Sequence, residues 1–155
     1  MEVKFQLHGK PAAADIEPDC MLLDLLRDMG GYSVKRGCDT TNCGLCTVLV
    51  NGKPSLSCAM PAARAEGKEI ITLEGLQEEA VNFGRFLAKE GAEQCGYCSP
   101  GFIMNVLAME RELCASGHCP DREEIREYLA GNLCRCTGYA GQMRAVEKYL
   151  RESRG

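Results

Sequence analysis

Tryptophan is absent, and Phe and Tyr make up only 6% of the 155 residues, too little for an aromatic platform on which bases could stack. Basic residues are not in surplus either. The 18 Lys and Arg stand against 22 Asp and Glu, a formal charge of -4 that argues against nucleic acid as a partner. No apolar run approaches the roughly 18 residues of a spanning helix, so no membrane insertion is expected. Neither a nucleophile–base pair nor a dinucleotide fingerprint appears. At the N-terminus, Met1–Leu7 alternates instead of building the apolar core of a signal peptide, and a cytoplasmic location is expected.

Cysteine, by contrast, is abundant. The chain has 11, an odd number that cannot all be paired. In a reducing compartment structural disulfides are rare, so this density points to metal.

The first half reads as short strands and turns. Val3, Phe5 and Leu7 alternate with polar neighbours, as in a half-buried strand. A turn at His8–Pro11 leads to a second strand ending near Ile16, and Asp19 is placed to cap a short helix over Met21–Asp28. Asn51-Gly52 between Thr47–Val50 and Lys53–Ser57 is a strong hairpin signal, and Ile70–Leu73 makes a last strand. After Glu74 the period changes. Leu76, Ala80, Phe83 and Leu87 form a helical stripe, followed by three more around Ile103–Leu107, Ile125–Leu129 and Met143–Leu150. Such stripes normally mean a shared core. The expected class is α+β, with domains 1–75 and 76–155.

Each half carries its own cysteine group. Cys38, Cys43 and Cys46 follow the C-x4-C-x2-C spacing of a plant-type [2Fe-2S] loop, and Cys58 lies beyond the hairpin as a fourth ligand. Gly37 and Gly44 would let backbone N–H groups approach sulfur. Zinc is the rival, but zinc sites usually pair two short knuckles, and here one long loop supplies three thiols. The second group joins Cys95 and Cys98 to Cys134 and Cys136. Ser99-Pro100-Gly101 reads as N-cap, first helical residue and helix start, which would place a helix dipole beside an anionic cluster. Cys20 reads as a small core residue. Cys114 and Cys119, flanking a turn with His118, read as free surface thiols, since they form an incomplete ligand set.

Four motifs together resemble the small iron–sulfur subunit of the molybdenum hydroxylases, the xanthine dehydrogenase, aldehyde oxidoreductase and carbon monoxide dehydrogenase group. They are Val34-Lys35-Arg36-Gly37-Cys38, Cys43-Gly44-Leu45-Cys46-Thr47-Val48, Gln94-Cys95-Gly96-Tyr97-Cys98-Ser99-Pro100-Gly101 and Gly131-Asn132-Leu133-Cys134-Arg135-Cys136-Thr137-Gly138-Tyr139. The resemblance implies a β-grasp ferredoxin-like domain followed by a four-helix bundle, each with one [2Fe-2S] cluster. By it, Cys38, Cys43, Cys46 and Cys58 hold one cluster, and Cys95, Cys98, Cys134 and Cys136 hold the other. It also implies that Gln94 and Cys136 touch the pterin of a molybdenum cofactor held by a large partner subunit. An FAD-binding subunit or other acceptor would receive the electrons. Such a chain is an electron-transfer subunit without substrate chemistry of its own, most like that of a xanthine or purine dehydrogenase. The alternative is a stand-alone two-cluster ferredoxin. Gln142 departs from the resemblance, standing where an apolar residue is frequent, and Asp39–Asn42 replaces a glycine-containing loop.

Overall fold

A computed structural model describes residues 1–152; residues 153–155, the end of the second expected domain, lie outside the described residues. Five strands form one mixed sheet: β1 (Glu2–Leu7), β2 (Lys10–Asp15), β3 (Thr47–Val50), β4 (Lys53–Leu56) and β5 (Glu69–Ile71). Their order is β2-β1-β5-β3-β4, with β1 and β5 parallel and every other pair antiparallel. The β3–β4 turn has Asn51 at φ 49° and Gly52 at φ 77°, the two positive angles that the hairpin signal requires.

Helix α1 (Leu22–Asp28) covers one face of this sheet. Its four leucines, Leu22, Leu23, Leu25 and Leu26, are buried with Val3, Phe5, Val48 and Ile70 in a first core. Asp19 does not cap it. Met21 occupies the N-cap position without a side-chain bond, and an isolated bridge to Pro61 pins the helix entry in place of a cap. The last strand also ends earlier than expected, because Leu73–Gly75 turns into a short 3-10 helix. That turn carries Glu74, whose carboxylate accepts the Ser33 N–H at 2.8 Å, the Ser33 hydroxyl at 2.6 Å and the Thr72 hydroxyl at 2.5 Å. Burial alone would raise the Glu74 pKa, but these donors outweigh it and hold it below the usual value. The approach to the first cysteine loop is thereby tied to the segment joining the two halves.

The second half contains α2 (Gln77–Lys89), α3 (Ser99–Leu113), α4 (Arg122–Leu129) and α5 (Ala140–Glu152). Phe83, Leu87, Val106, Leu107, Ile125 and Leu150 from these helices meet in a second core, where Tyr149 lies edge-on to Phe83 and Phe86. Asp121 caps α4 with a complete capping box through Glu124. Leu49 of β3 belongs to this second core, whereas its neighbour Val48 belongs to the first. Strand β3 is therefore buried on both faces, α1 lying on one side and α3 on the other, which accounts for its unbroken apolar run. The halves share a wall.

Among the described residues, no helix is long and apolar enough to cross a membrane.

Candidate functional site

The Cys38–Cys46 segment forms an irregular loop between α1 and β3, and Cys58 sits on a short 3-10 turn just after β4. The hairpin returns Cys58 to the loop, where its sulfur meets that of Cys46, while Cys38 meets Cys43. Backbone N–H groups of Asn42, Thr40 and Cys43 are directed at Cys38 and, with the neighbouring Cys43 thiol, hold its pKa down to about 6. Burial pushes Cys43 up. Burial, followed by the neighbouring Cys46 thiol, pushes Cys58 to about 12. A Cβ on Gly37 would lie 3.3 Å from the Cys43 sulfur and 2.6 Å from Leu45, so the loop is closed at that point around the thiols.

The second set is built from the ends of helices. Cys95 and Cys98 precede α3, and Cys134 and Cys136 lie on the loop between α4 and α5. Helix α3 starts one residue earlier than the sequence suggested. Cys98 is the N-cap, and the Ser99 hydroxyl donates to Glu93 at 2.5 Å instead of capping. The thiols again meet in pairs, Cys98 with Cys134 and Cys95 with Cys136, the latter at 3.6 Å. Burial, then Cys134, raises Cys98 to about 11. Burial would also raise Cys134, but the Thr137 hydroxyl and the N–H groups of Cys136 and Thr137, at 3.2, 3.4 and 3.4 Å, hold it below its usual value. Tyr139, at φ 69°, accepts the Cys134 N–H on its hydroxyl at 2.8 Å and fixes this loop.

These donor sets suit a [2Fe-2S] core better than a single ion. Such a core has two irons, each needing two thiolates, and the thiols stand in pairs. N–H groups aimed at sulfur further favour an anionic cluster.

The two sets adjoin one cleft of about 470 Å3, lined by Cys38 and Cys43 on one side and Cys95, Cys98, Cys134 and Cys136 on the other. Hydrogen bonds cross between the loops, among them Leu133 N–H to the Cys43 carbonyl at 2.9 Å and Tyr97 hydroxyl to the Arg36 carbonyl at 3.0 Å. Leu133 directly precedes Cys134, so a short covalent path interrupted by one hydrogen bond joins the sets. Buried Asn132 holds this junction. Its amide donates to the Gly44 and Gly101 carbonyls at 3.3 and 3.4 Å, and its oxygen accepts from Asn105 at 2.5 Å. Tyr97, Leu133 and Tyr139 are 40–48% exposed around the cleft and give it an apolar rim.

Gln94 lies at the outer edge and donates to the Cys136 carbonyl at 3.0 Å, and both residues are exposed. Cys20 packs against the first core and Cys114, only half-buried, against the second, so Cys114 is not the surface thiol that the sequence suggested; Cys119 is exposed. His118 bonds to Glu124 at 2.9 Å. Motif spacing located the cysteines but gave no role to Asn132, Tyr97 or Thr137. Their neighbourhood in the second and fourth motifs was the available signal.

Two family models match, the 2Fe-2S iron-sulfur cluster binding domain over residues 5–73 and the [2Fe-2S] binding domain over residues 72–147. The chain is 42% identical over 153 residues to the nicotinate dehydrogenase small FeS subunit of Eubacterium barkeri, covering 97% of this chain and 94% of that protein. It is 45% identical over 144 residues to the xanthine dehydrogenase iron-sulfur-binding subunit of Escherichia coli O157:H7, covering 88% and 86%. Among solved structures, quinoline 2-oxidoreductase from Pseudomonas putida 86 superimposes with a TM-score of 0.88 at 35% identity, over 99% of this chain and 94% of that one.

Proposed function

From a chain that belongs to the iron–sulfur subunits of the molybdenum hydroxylases, and so carries two [2Fe-2S] clusters and serves electron transfer, we infer the residue roles and the direction of flow. Cys38, Cys43, Cys46 and Cys58 hold the first cluster, and Cys95, Cys98, Cys134 and Cys136 hold the second. When bound, each cluster accepts and returns one electron. The protein's part is to hold the thiolates in pairs, direct N–H groups at sulfur and keep the two sets at a fixed separation. The observation that carries this reading is the meeting of both sets at one cleft, bridged by Leu133 and Cys43.

The second set faces the molybdenum subunit. Gln94 and Cys136 lie together at the surface, and the Gln94 side chain, having used one N–H on Cys136, keeps its carbonyl and a second N–H for a pterin edge. The exposed loop Asp39–Asn42 faces the acceptor, an FAD-binding subunit. We read residues 1–75 as a β-grasp domain and 76–155 as a four-helix bundle, although β3 is shared between the cores. We read the protein as cytoplasmic, a reducing compartment in which the cysteines stay available to iron. The relatives are iron–sulfur subunits of enzymes named nicotinate dehydrogenase and xanthine dehydrogenase, and a purine or related heteroaromatic substrate is the reading we adopt for the complex.

Gln94→Ala tests the direction. Leaving a buried pterin group unpaired at the subunit interface costs about 1–3 kcal/mol. Stopped-flow reduction by substrate should slow, or molybdenum-pterin content should fall, with iron content intact. Wild-type rate and molybdenum content in this variant, together with a slower rate after changes at Asp39 or Asn42, would reverse the orientation. A stand-alone ferredoxin would purify without larger chains.

A further inference from the structure

Gln142 is a polar side chain buried to 3% exposure on the first turn of α5, and the roles assigned so far make no use of it. Its Nε2 lies 3.9 Å from the Cys98 sulfur, and its Oε1 stands 3.4 Å from the Thr137 hydroxyl oxygen, whose single proton is directed at the nearer Cys134 sulfur. A carboxamide turns its N–H, and not its carbonyl, toward an electron-rich sulfur. The same Thr137 hydroxyl lies 3.2 Å from the Cys134 sulfur, which the N–H groups of Cys136 and Thr137 also approach. Both side-chain donors therefore act on one thiol pair, Cys98–Cys134. The other pair, Cys95–Cys136, is exposed to solvent on the Gln94 side.

We propose that Gln142, acting with Thr137, raises the reduction potential of the second cluster and draws the incoming electron to the iron held by Cys98 and Cys134. An added electron puts more negative charge on the thiolates of the iron that receives it. Donors fixed in a buried site stabilise that charge without reorganising. The step moves one electron and nothing else. A ferric ion becomes ferrous, the molybdenum centre of the partner subunit supplies the electron, and no bond or proton changes hands. Its consequence is directional. Cys134 is the ligand that continues through Leu133 to Cys43, so the electron is held on the side nearest the first set, while the exposed pair faces the donor. Gln142 is a positioning residue for charge, and the inference rests on the ligand sets proposed above.

The test is a redox titration of the purified complex, with each cluster followed by its own electron paramagnetic resonance signal. Gln142→Leu keeps the volume and removes the donor. It should lower one midpoint potential by about 59 mV, a tenfold loss in the one-electron reduction equilibrium, and leave the other in place. Gln142→Glu, which puts a carboxylate at the same sulfur, should lower it further. Unchanged potentials with both clusters loaded, or equal shifts in both, would overturn the proposal. If Gln142→Leu fails to load, Thr137→Val decides by the same criterion. Cys98→Ser separates this failure from failure of the ligand reading. If it leaves the shifted signal intact, the ligand set is wrong; if it removes a signal that Gln142→Leu leaves unshifted, only the present proposal falls.

Discussion

Gly101→Ala is expected to destabilise the protein by about 1–3 kcal/mol, the usual cost of forcing atoms into a filled space. Alanine in a helix is otherwise worth about 1 kcal/mol more than glycine, so the sign itself is diagnostic. Gly101 is buried in the first turn of α3, and a Cβ there would stand 2.5 Å from the Gly44 carbonyl and 2.8 Å from the Leu45 Cα. Both are backbone atoms of the first cysteine loop. That loop cannot retreat, because Gly44 is held at φ 74° and its own Cβ position lies 2.4 Å from the Gly131 carbonyl and 2.8 Å from the Asn132 amide. Gly84, in the middle of α2, is the control. Nothing lies within 4 Å of a Cβ at that position, and Gly84→Ala should stabilise. Bleaching of the visible chromophore in guanidinium reads both. A Gly101→Ala protein as resistant as Gly84→Ala would show that the junction between the cysteine loops is loose.

A larger effect is expected at Cys46, which is 2% exposed and faces Cys58 within the first core. Serine is smaller and harder than a thiolate and a poorer partner for iron–sulfur chemistry. Cys46→Ser should retain about two irons and two acid-labile sulfides per chain, where the native protein has about four of each. The helical half should be unaffected, because its four cysteines and most of its core come from residues beyond 76. Cys98→Ser should produce the mirror-image loss. Far-UV circular dichroism guards against simple unfolding. Retention of all iron, or loss of all of it with helicity preserved, would contradict two independent sets.

Much of this arrangement is legible in the sequence because it is local. The C-x4-C-x2-C loop, the Asn51-Gly52 turn and the stripe through Phe83 and Leu87 are each set within a few residues. What escaped depends on distant partners. Val48 and Leu49 read alike in a run of four, yet they enter different cores, because α3 covers the face of the sheet that α1 leaves open. Asp19 looked like a cap, but the bridge from Met21 to Pro61, forty residues on, sets the start of α1. Asn132 and Gln142 are ordinary polar letters in a helical region. Their meaning comes from the Gly44 carbonyl and the Cys98 sulfur, each far away in the chain. The pairing of thiols within each set is likewise a property of the folded loops, whereas the motif spacing fixes only which residues are near enough to take part.

The most direct measurement is electron paramagnetic resonance of the native chain in its complex, reduced with dithionite and quantified per chain. Two rhombic signals of different relaxation behaviour are expected, each integrating to about one spin, since Cys43 and Cys46 of one set are buried whereas the other set lies at helix ends near the surface. A single signal of about one spin, or a protein carrying zinc and no signal, would contradict a two-cluster electron relay.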